Sequence, residues 1–156
     1  FRQSGTVRNH RLRNEYFQKK WLHGSLLQTK TRIFMENLYD VIIIGSGPAG
    51  LSAAIYAKRA KLSSLTIEAN FASGGQVLNT YEVDNYPGLP GISGMDLGST
   101  LRAHAEKMDA EFSRERVKEL VLDEEIKIVR TRKNEYHART VILATGAEHR
   151  AVKCTW

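Results

Sequence analysis

The stretch that most constrains this chain is a run of β-branched residues followed at once by closely spaced glycines. Tyr39-Asp40-Val41-Ile42-Ile43-Ile44 shows no polar/apolar alternation, the pattern of a parallel strand covered on both faces. Gly45-Ser46-Gly47-Pro48-Ala49-Gly50 comes next and matches Gly-x-Gly-x-x-Gly. A helix is predicted from there, over about residues 48–62. In such a turn Gly45 permits the tight exit from the strand. Gly47 removes the side chain that would block a pyrophosphate, and Gly50 lets helix and sheet approach closely. Pro48 suits the first helical turn, where an amide hydrogen has no helical partner. The helix N-terminus supplies free N–H groups and a positive dipole end, so Gly45, Ser46, Gly47, Pro48 and Ala49 form the expected phosphate cradle.

Along the predicted helix Gly50, Ala53, Ala54 and Ala57 share one face, a stripe of small residues that permits close packing on a sheet. Lys58, Arg59 and Lys61 follow in its last turns, where cations oppose the negative dipole end. Ser64-Leu65-Thr66-Ile67 reads as a second strand ending at Glu68, 18 residues past Gly50, where an acid can accept hydrogen bonds from an adenosine ribose. Strand, glycine turn, helix, strand and acid together define a dinucleotide site. They do not choose between FAD and NAD(P).

That choice comes from the segments beyond. Ala72-Ser73-Gly74-Gly75-Gln76 and Glu82-Val83-Asp84-Asn85-Tyr86-Pro87-Gly88 resemble two motifs of the low-molecular-weight thioredoxin reductases, Gly-Gly-Gln and Glu-Val-Glu-Asn-x-Pro-Gly, with Asp84 in place of the second Glu. The resemblance covers residues 35–147. It implies FAD as the cofactor, with the backbone at Gly74 and Gly75 along the flavin side and Gln76 and Asn85 near the ring system. Amide side chains both donate and accept, as a flavin edge requires. Thr140-Val141-Ile142-Leu143-Ala144-Thr145-Gly146 resembles the family's strand returning to the FAD sheet, expected here as a second buried strand closed by Ala144, Thr145 and Gly146. Val117 falls where the family's backbone faces the adenine.

Between these motifs, Ser93 or Asp96 is expected to cap a helix running to about residue 110, with Leu97, Leu101, Ala105 and Met108 on one face. Short alternating runs at residues 117–122, 125–129 and 135–139 read as a small antiparallel meander. The expected fold class is α/β: a Rossmann-like, three-layer FAD-binding domain with a parallel sheet and that meander, incomplete relative to the family.

The family passes a hydride from NADPH to flavin and then electrons to a Cys-x-x-Cys disulfide that exchanges with thioredoxin. Exchange of that kind needs an attacking and a resolving thiol, and this chain holds the single Cys154. A second glycine motif for NADPH is likewise missing from its 156 residues. No catalytic residue is therefore assigned. A ferredoxin or flavodoxin NADP reductase of the same fold, which needs no cysteine pair, and a non-catalytic FAD-binding fragment are the alternatives. The resemblance also implies a cytoplasmic, homodimeric parent protein.

Charge is divided unevenly. Residues 1–34 carry eight Lys and Arg against the single Glu15, and the rest holds 15 basic and 16 acidic residues. The basic character thus belongs to the front segment, and the domain behind it has no nucleic-acid footprint. Residues 1–34 are expected to be an upstream or fusion-derived extension without packed structure; an organelle transit peptide and a basic arm for nucleic acid or anionic lipid are the other readings. Residues 148–156 form a tail that departs from the family's usual continuation, as expected of a truncation or frame change. His10, His23, His104, His137 and His149 lack metal-ligand spacing and are read as surface residues. No apolar run is long enough to cross a bilayer.

Overall fold

The computed structural model describes residues 38–147. The expectations for residues 1–34, for the tail at 148–156 and for Cys154 lie outside that range. Strand β1 (Leu38–Ile44) leads through the glycine turn into helix α1 (Pro48–Arg59), which returns the chain to β2 (Ser64–Glu68). A short 3-10 turn (Gly75–Asn79) and helix α2 (Gly94–Lys107) precede β3 (Glu111–Arg114), β4 (Glu119–Val121), β5 (Lys127–Arg130) and β6 (Glu135–Leu143). All six strands belong to one sheet, in the order β3-β2-β1-β6-β5-β4. The first four run parallel, and β6, β5 and β4 pair antiparallel.

The unbroken apolar character of β1 follows from its central place. Val41 and Ile43 face α1, where they pack on Ala54 and Ala57. Ile42 and Ile44 point to the opposite face and share a core with Leu65, Ile67, Val129 and Ala138. A third apolar group joins the helices to each other and to the loop between them: Leu51 and Ile55 of α1, Leu97, Leu101 and Ala105 of α2, and Val83.

Both helices stop about three residues short of the sequence expectation, for one reason. After α1, Lys61 takes a left-handed conformation with φ +60°, and after α2 Asp109 does so with φ +58°. The next N–H in each case turns back to a carbonyl of the last turn, Leu62 to Ala57 at 3.0 Å and Ala110 to Ala105 at 3.1 Å. This is the helix-ending pattern glycine usually makes. Its occupation by lysine and aspartate hid the ends from sequence reading. At the other end of α2 the Ser93 hydroxyl accepts the Asp96 N–H at 3.0 Å, so Ser93 is the cap, and it donates to the Asp96 carboxylate at 2.7 Å.

Three strand expectations need correction. Residues 135–139 and 140–146 are not separate strands: β6 is continuous from Glu135 to Leu143, pairing with β1 on one side and, up to Ala138, with β5 on the other. Among the described residues no strand pairs with that side of β6 beyond Ala138. Ile142 and Leu143 are 38% and 58% exposed there, not buried as the apolar run suggested. Edge strand β3 was not foreseen, because Glu-Phe-Ser-Arg offers only Phe112 to the apolar layer. The meander is shorter than expected and is an extension of the main sheet through β6.

Glu115, just past β3, ties that extension down. Its N–H donates to the Glu68 carbonyl at 2.9 Å. Its carboxylate accepts from Thr131, from Tyr136 at 2.6 Å, from Ser113 at 2.7 Å and from Asn134 at 2.9 Å. Hydrogen bonds from Thr131 and Tyr136, then from Ser113 and Asn134, outweigh burial and hold its pKa down to about 2. A carboxyl depressed in the folded state stabilises above its unfolded pKa and ceases to do so as pH falls towards the folded value. Glu115→Gln should therefore lower the free energy of urea unfolding at pH 7 by on the order of 1 kcal/mol. The gap to wild type should close between pH 4.5 and about 2. A gap that stays constant over that range contradicts the assignment.

Candidate dinucleotide-binding site

Strand order reverses at β1: the chain moves by α1 to β2 and β3 on one side, while β6 lies on the other. The carboxyl ends of β1 and β6 meet at this switch point, where open α/β sheets bind ligands. The glycine turn sits there, held by the Gly45 N–H to the Ile67 carbonyl at 2.9 Å and the Ala144 N–H to the Ile44 carbonyl at 2.8 Å.

The three glycines meet different surroundings. Gly45 has φ +105°, and a Cβ on it would stand 2.2 Å from the Ala144 carbonyl oxygen. A Cβ on Gly50 would stand 1.9 Å from the Gly45 carbonyl oxygen. These two positions let strand, helix and β6 close on one another. Gly47 is open, with its nearest neighbour for such a Cβ the Gly74 carbonyl at 3.8 Å. Gly47 caps α1 without any side-chain hydrogen bond, and Pro48 opens the helix. The first N–H groups of the helix therefore face out beside the one glycine whose missing side chain leaves room, the arrangement that admits a phosphate.

Glu68 lies at the adjacent end of β2. Its Oε2 accepts the Ser46 N–H and the Ser46 hydroxyl, both at 2.8 Å, and its Oε1 accepts the Asn70 N–H at 2.7 Å. Burial opposes ionisation of this carboxyl, but the N–H groups of Asn70 and Ser46, the Ser46 hydroxyl and the Ala69 N–H prevail and keep its pKa below the usual glutamate range. An ionised carboxylate is a strong acceptor for a ribose hydroxyl. Ser46, expected as a cradle residue, thus also orients the acid.

The second glycine turn abuts the first. The Gly74 N–H donates to the Ser46 carbonyl at 2.8 Å, and a Cβ on Gly75 would stand 3.4 Å from the Gly47 Cα. Val117 is half-buried against the core beside β2, on the strand of backbone that Glu115 brings to the Glu68 carbonyl. Ala144 belongs to the switch point, whereas Thr145 and Gly146 are exposed beyond it. Gln76 in the 3-10 turn and Asn85 in the following loop are exposed, and no hydrogen bond joins either side chain to the glycine turns among the described residues. The structure therefore gathers Gly45, Ser46, Gly47, Pro48, Ala49, Glu68, Gly74, Gly75 and Ala144 into one place, with Gln76 adjacent in sequence.

Sequence reading missed two further residues here. Ser73 Oγ stands 2.9 Å from Ser46 Oγ, and Arg102 of α2 donates to it at 3.0 Å. Arg102 is itself fixed, its guanidinium 3.4 Å from the centre of the Phe112 ring and its Nε donating to Glu106 at 2.7 Å. No sequence pattern signals a link between positions 73 and 102. Of the described histidines, His104 is exposed, while His137 is half-buried and pairs with Glu135 at 3.2 Å. Among the described residues no group of three or more His, Cys, Asp or Glu could hold a metal ion, and no helix is long and apolar enough to cross a membrane.

With that geometry in place, comparison with known proteins identifies the class. Residues 39–155 match the family described as pyridine nucleotide-disulphide oxidoreductase. The chain belongs to that family. Within it, the likeness is to the N-terminal, FAD-binding portion of thioredoxin reductases. The thioredoxin reductase of Bacillus subtilis is 47% identical over 117 residues, 75% of this chain and 37% of the relative. That of Listeria monocytogenes is 49% identical over 115 residues, 74% of this chain and 36% of the relative. Among solved structures, thioredoxin reductase from Streptococcus pyogenes superposes with a TM-score of 0.70 at 43% identity, covering 75% of this chain and 38% of that one. A ferredoxin-flavin thioredoxin reductase from Clostridium acetobutylicum does so with 0.66 at 30% identity, covering 74% and 40%. The chain thus spans little more than a third of the length of its relatives.

The glycine geometry predicts a split among alanine substitutions. Gly50→Ala and Gly45→Ala drive a Cβ into backbone carbonyls and should cost about 3 kcal/mol or more. Gly47→Ala, with φ −70° and open space, should stay within about 1 kcal/mol of wild type. Thermal and urea unfolding of the three variants check this, and an equal loss in all three would contradict it.

Proposed function

We propose that residues 38–147 form the FAD-holding part of an NADPH-dependent thioredoxin-disulfide reductase. The observation that carries this reading is the open Gly47 at the start of α1, set between two glycines that the backbone itself needs and beside the ionised Glu68. Backbone N–H groups of the glycine turn and the first turn of α1 would hold the pyrophosphate, and Glu68 the adenosine ribose. Gly74 and Gly75 would pass along the flavin side, with Gln76 and Asn85 supplying amides to the ring edge, Val117 backbone to the adenine, and Ala144, Thr145 and Gly146 the wall at the β6 end. Bound FAD would supply two-electron redox chemistry between nicotinamide and disulfide.

The same reading makes thioredoxin and NADPH the partners of the complete reductase and places it in the cytoplasm as a homodimer. Disulfide exchange is not assigned to this chain, whose single cysteine cannot form the required pair. Each relative named above is described as a thioredoxin reductase, which favours this reading over an NADP reductase of the same fold.

The test is flavin uptake by the chain. Adding FAD should give saturable quenching of flavin fluorescence, and the bound flavin should keep its oxidised visible spectrum when NADPH is added. Gly47→Ala should fold and yet bind FAD about tenfold or more weakly, because its methyl group takes the space of the pyrophosphate. No saturable binding by wild type, or undiminished binding by a folded Gly47→Ala, would overturn the proposal.

A further inference from the structure

The Ser46 hydroxyl is fully buried and stands 2.8 Å from Glu68 Oε2 and 2.9 Å from Ser73 Oγ. A serine has one hydroxyl proton, so Ser46 donates to only one of the two at a time. Arg102 Nη1, 3.0 Å from Ser73 Oγ, can only donate and so takes one of that oxygen's two acceptor positions. Two hydrogen-bond arrangements therefore fit the same heavy-atom positions. In one, Ser73 donates to Ser46 and Ser46 donates to Glu68. In the other, Ser46 donates to Ser73, whose own proton turns to the solvent that its half-buried position leaves open.

The difference falls on Glu68. Its Oε2 accepts the Ser46 N–H and its Oε1 the Asn70 N–H in both arrangements. While the Ser46 hydroxyl also donates, both lone pairs of Oε2 are occupied. Once that hydroxyl turns to Ser73, Oε2 has a lone pair free for a ribose hydroxyl.

We propose that Ser73, held by Arg102, is a positioning residue for the adenosine ribose: it is the alternative acceptor that lets Ser46 release Glu68 when the ribose binds. The inference rests on the FAD reading above and names the residues that tune its ribose subsite. Arg102 stiffens the relay from outside, since its guanidinium is clamped by Phe112 and Glu106.

Affinity for two probes tests it on the full chain: FAD, and FAD carrying 2′,3′-dideoxyadenosine. Ser73→Ala leaves Ser46 no other acceptor, so FAD should bind about tenfold more weakly while the dideoxy probe changes less than about twofold. Ser46→Ala/Ser73→Ala should recover most of the loss for FAD, because nothing then competes for Oε2. Ser73→Thr, which keeps the hydroxyl, should bind FAD as wild type does. Equal weakening of both probes in Ser73→Ala, or a double variant no better than the single one, overturns the relay and leaves the FAD reading standing. Wild-type chain that binds neither probe removes that reading and the relay with it.

Discussion

The described structure depends on the contact of three backbone segments at Gly45. The Gly45 carbonyl lies under Gly50 of α1, and the Ala144 carbonyl lies against Gly45 from the β6 side. Strand, helix and returning strand approach one another closely enough only because two of these positions lack a Cβ. This contact brings β6 beside β1 in parallel and so creates the reversal of strand order that a ligand crevice requires. The fold and the site therefore share one constraint, and Gly47 is the member of the turn that the fold itself does not need.

Two carboxylates at the ends of neighbouring strands show how similar chemistry serves different ends. Glu115 accepts four side-chain donors from β3, the β5–β6 turn and β6, which leaves it little capacity for anything else. Glu68 is held by the backbone N–H groups of Ser46, Ala69 and Asn70 and by one movable hydroxyl. A carboxylate saturated by side chains is a tether. One fixed mainly by backbone N–H groups keeps its orientation and its ionised state while retaining lone pairs for a ligand. The Glu115 N–H to Glu68 carbonyl bond joins the two, so the tether also sets the wall on which Val117 stands.

Residues 38–68 were legible in the sequence because their constraints are local: a buried strand needs an apolar run, a tight turn needs glycine, and the acid follows at a fixed distance. Legibility fell away where one residue type stood in for another. Lys61 and Asp109 end helices in the conformation that glycine usually takes, and Phe112 alone carries the apolar signal of β3. Residues 140–143 read as a buried strand because apolar sequence does not report whether a neighbour lies alongside, and β5 stops pairing at Ala138. Ser73 and Arg102 were invisible for another reason: their contact joins positions 29 residues apart through a hydrogen bond, which leaves no periodicity to find.

The proposed cofactor halves differ in how firmly their residues are held. On the adenosine and pyrophosphate side, Gly45, Ser46, Glu68 and Gly74 are linked to one another or to the sheet by main-chain hydrogen bonds of 2.7–2.9 Å, counting Asn70 N–H to Glu68. On the flavin side, the 3-10 turn bearing Gln76 rests on α2, where a Cβ on Gly94 would stand 1.8 Å from the Val77 carbonyl oxygen. Asn85 is exposed in a loop closed by the Val83–Ile92 bridge and by the Gly91 N–H to the Val83 carbonyl at 3.1 Å. Fixing an exposed side chain on binding costs free energy that a preset group does not. The affinity of this chain for a dinucleotide should therefore reside mainly in the nucleotide half, where the acceptors and N–H groups are already aimed, with Gln76 and Asn85 adding selectivity for the ring more than strength.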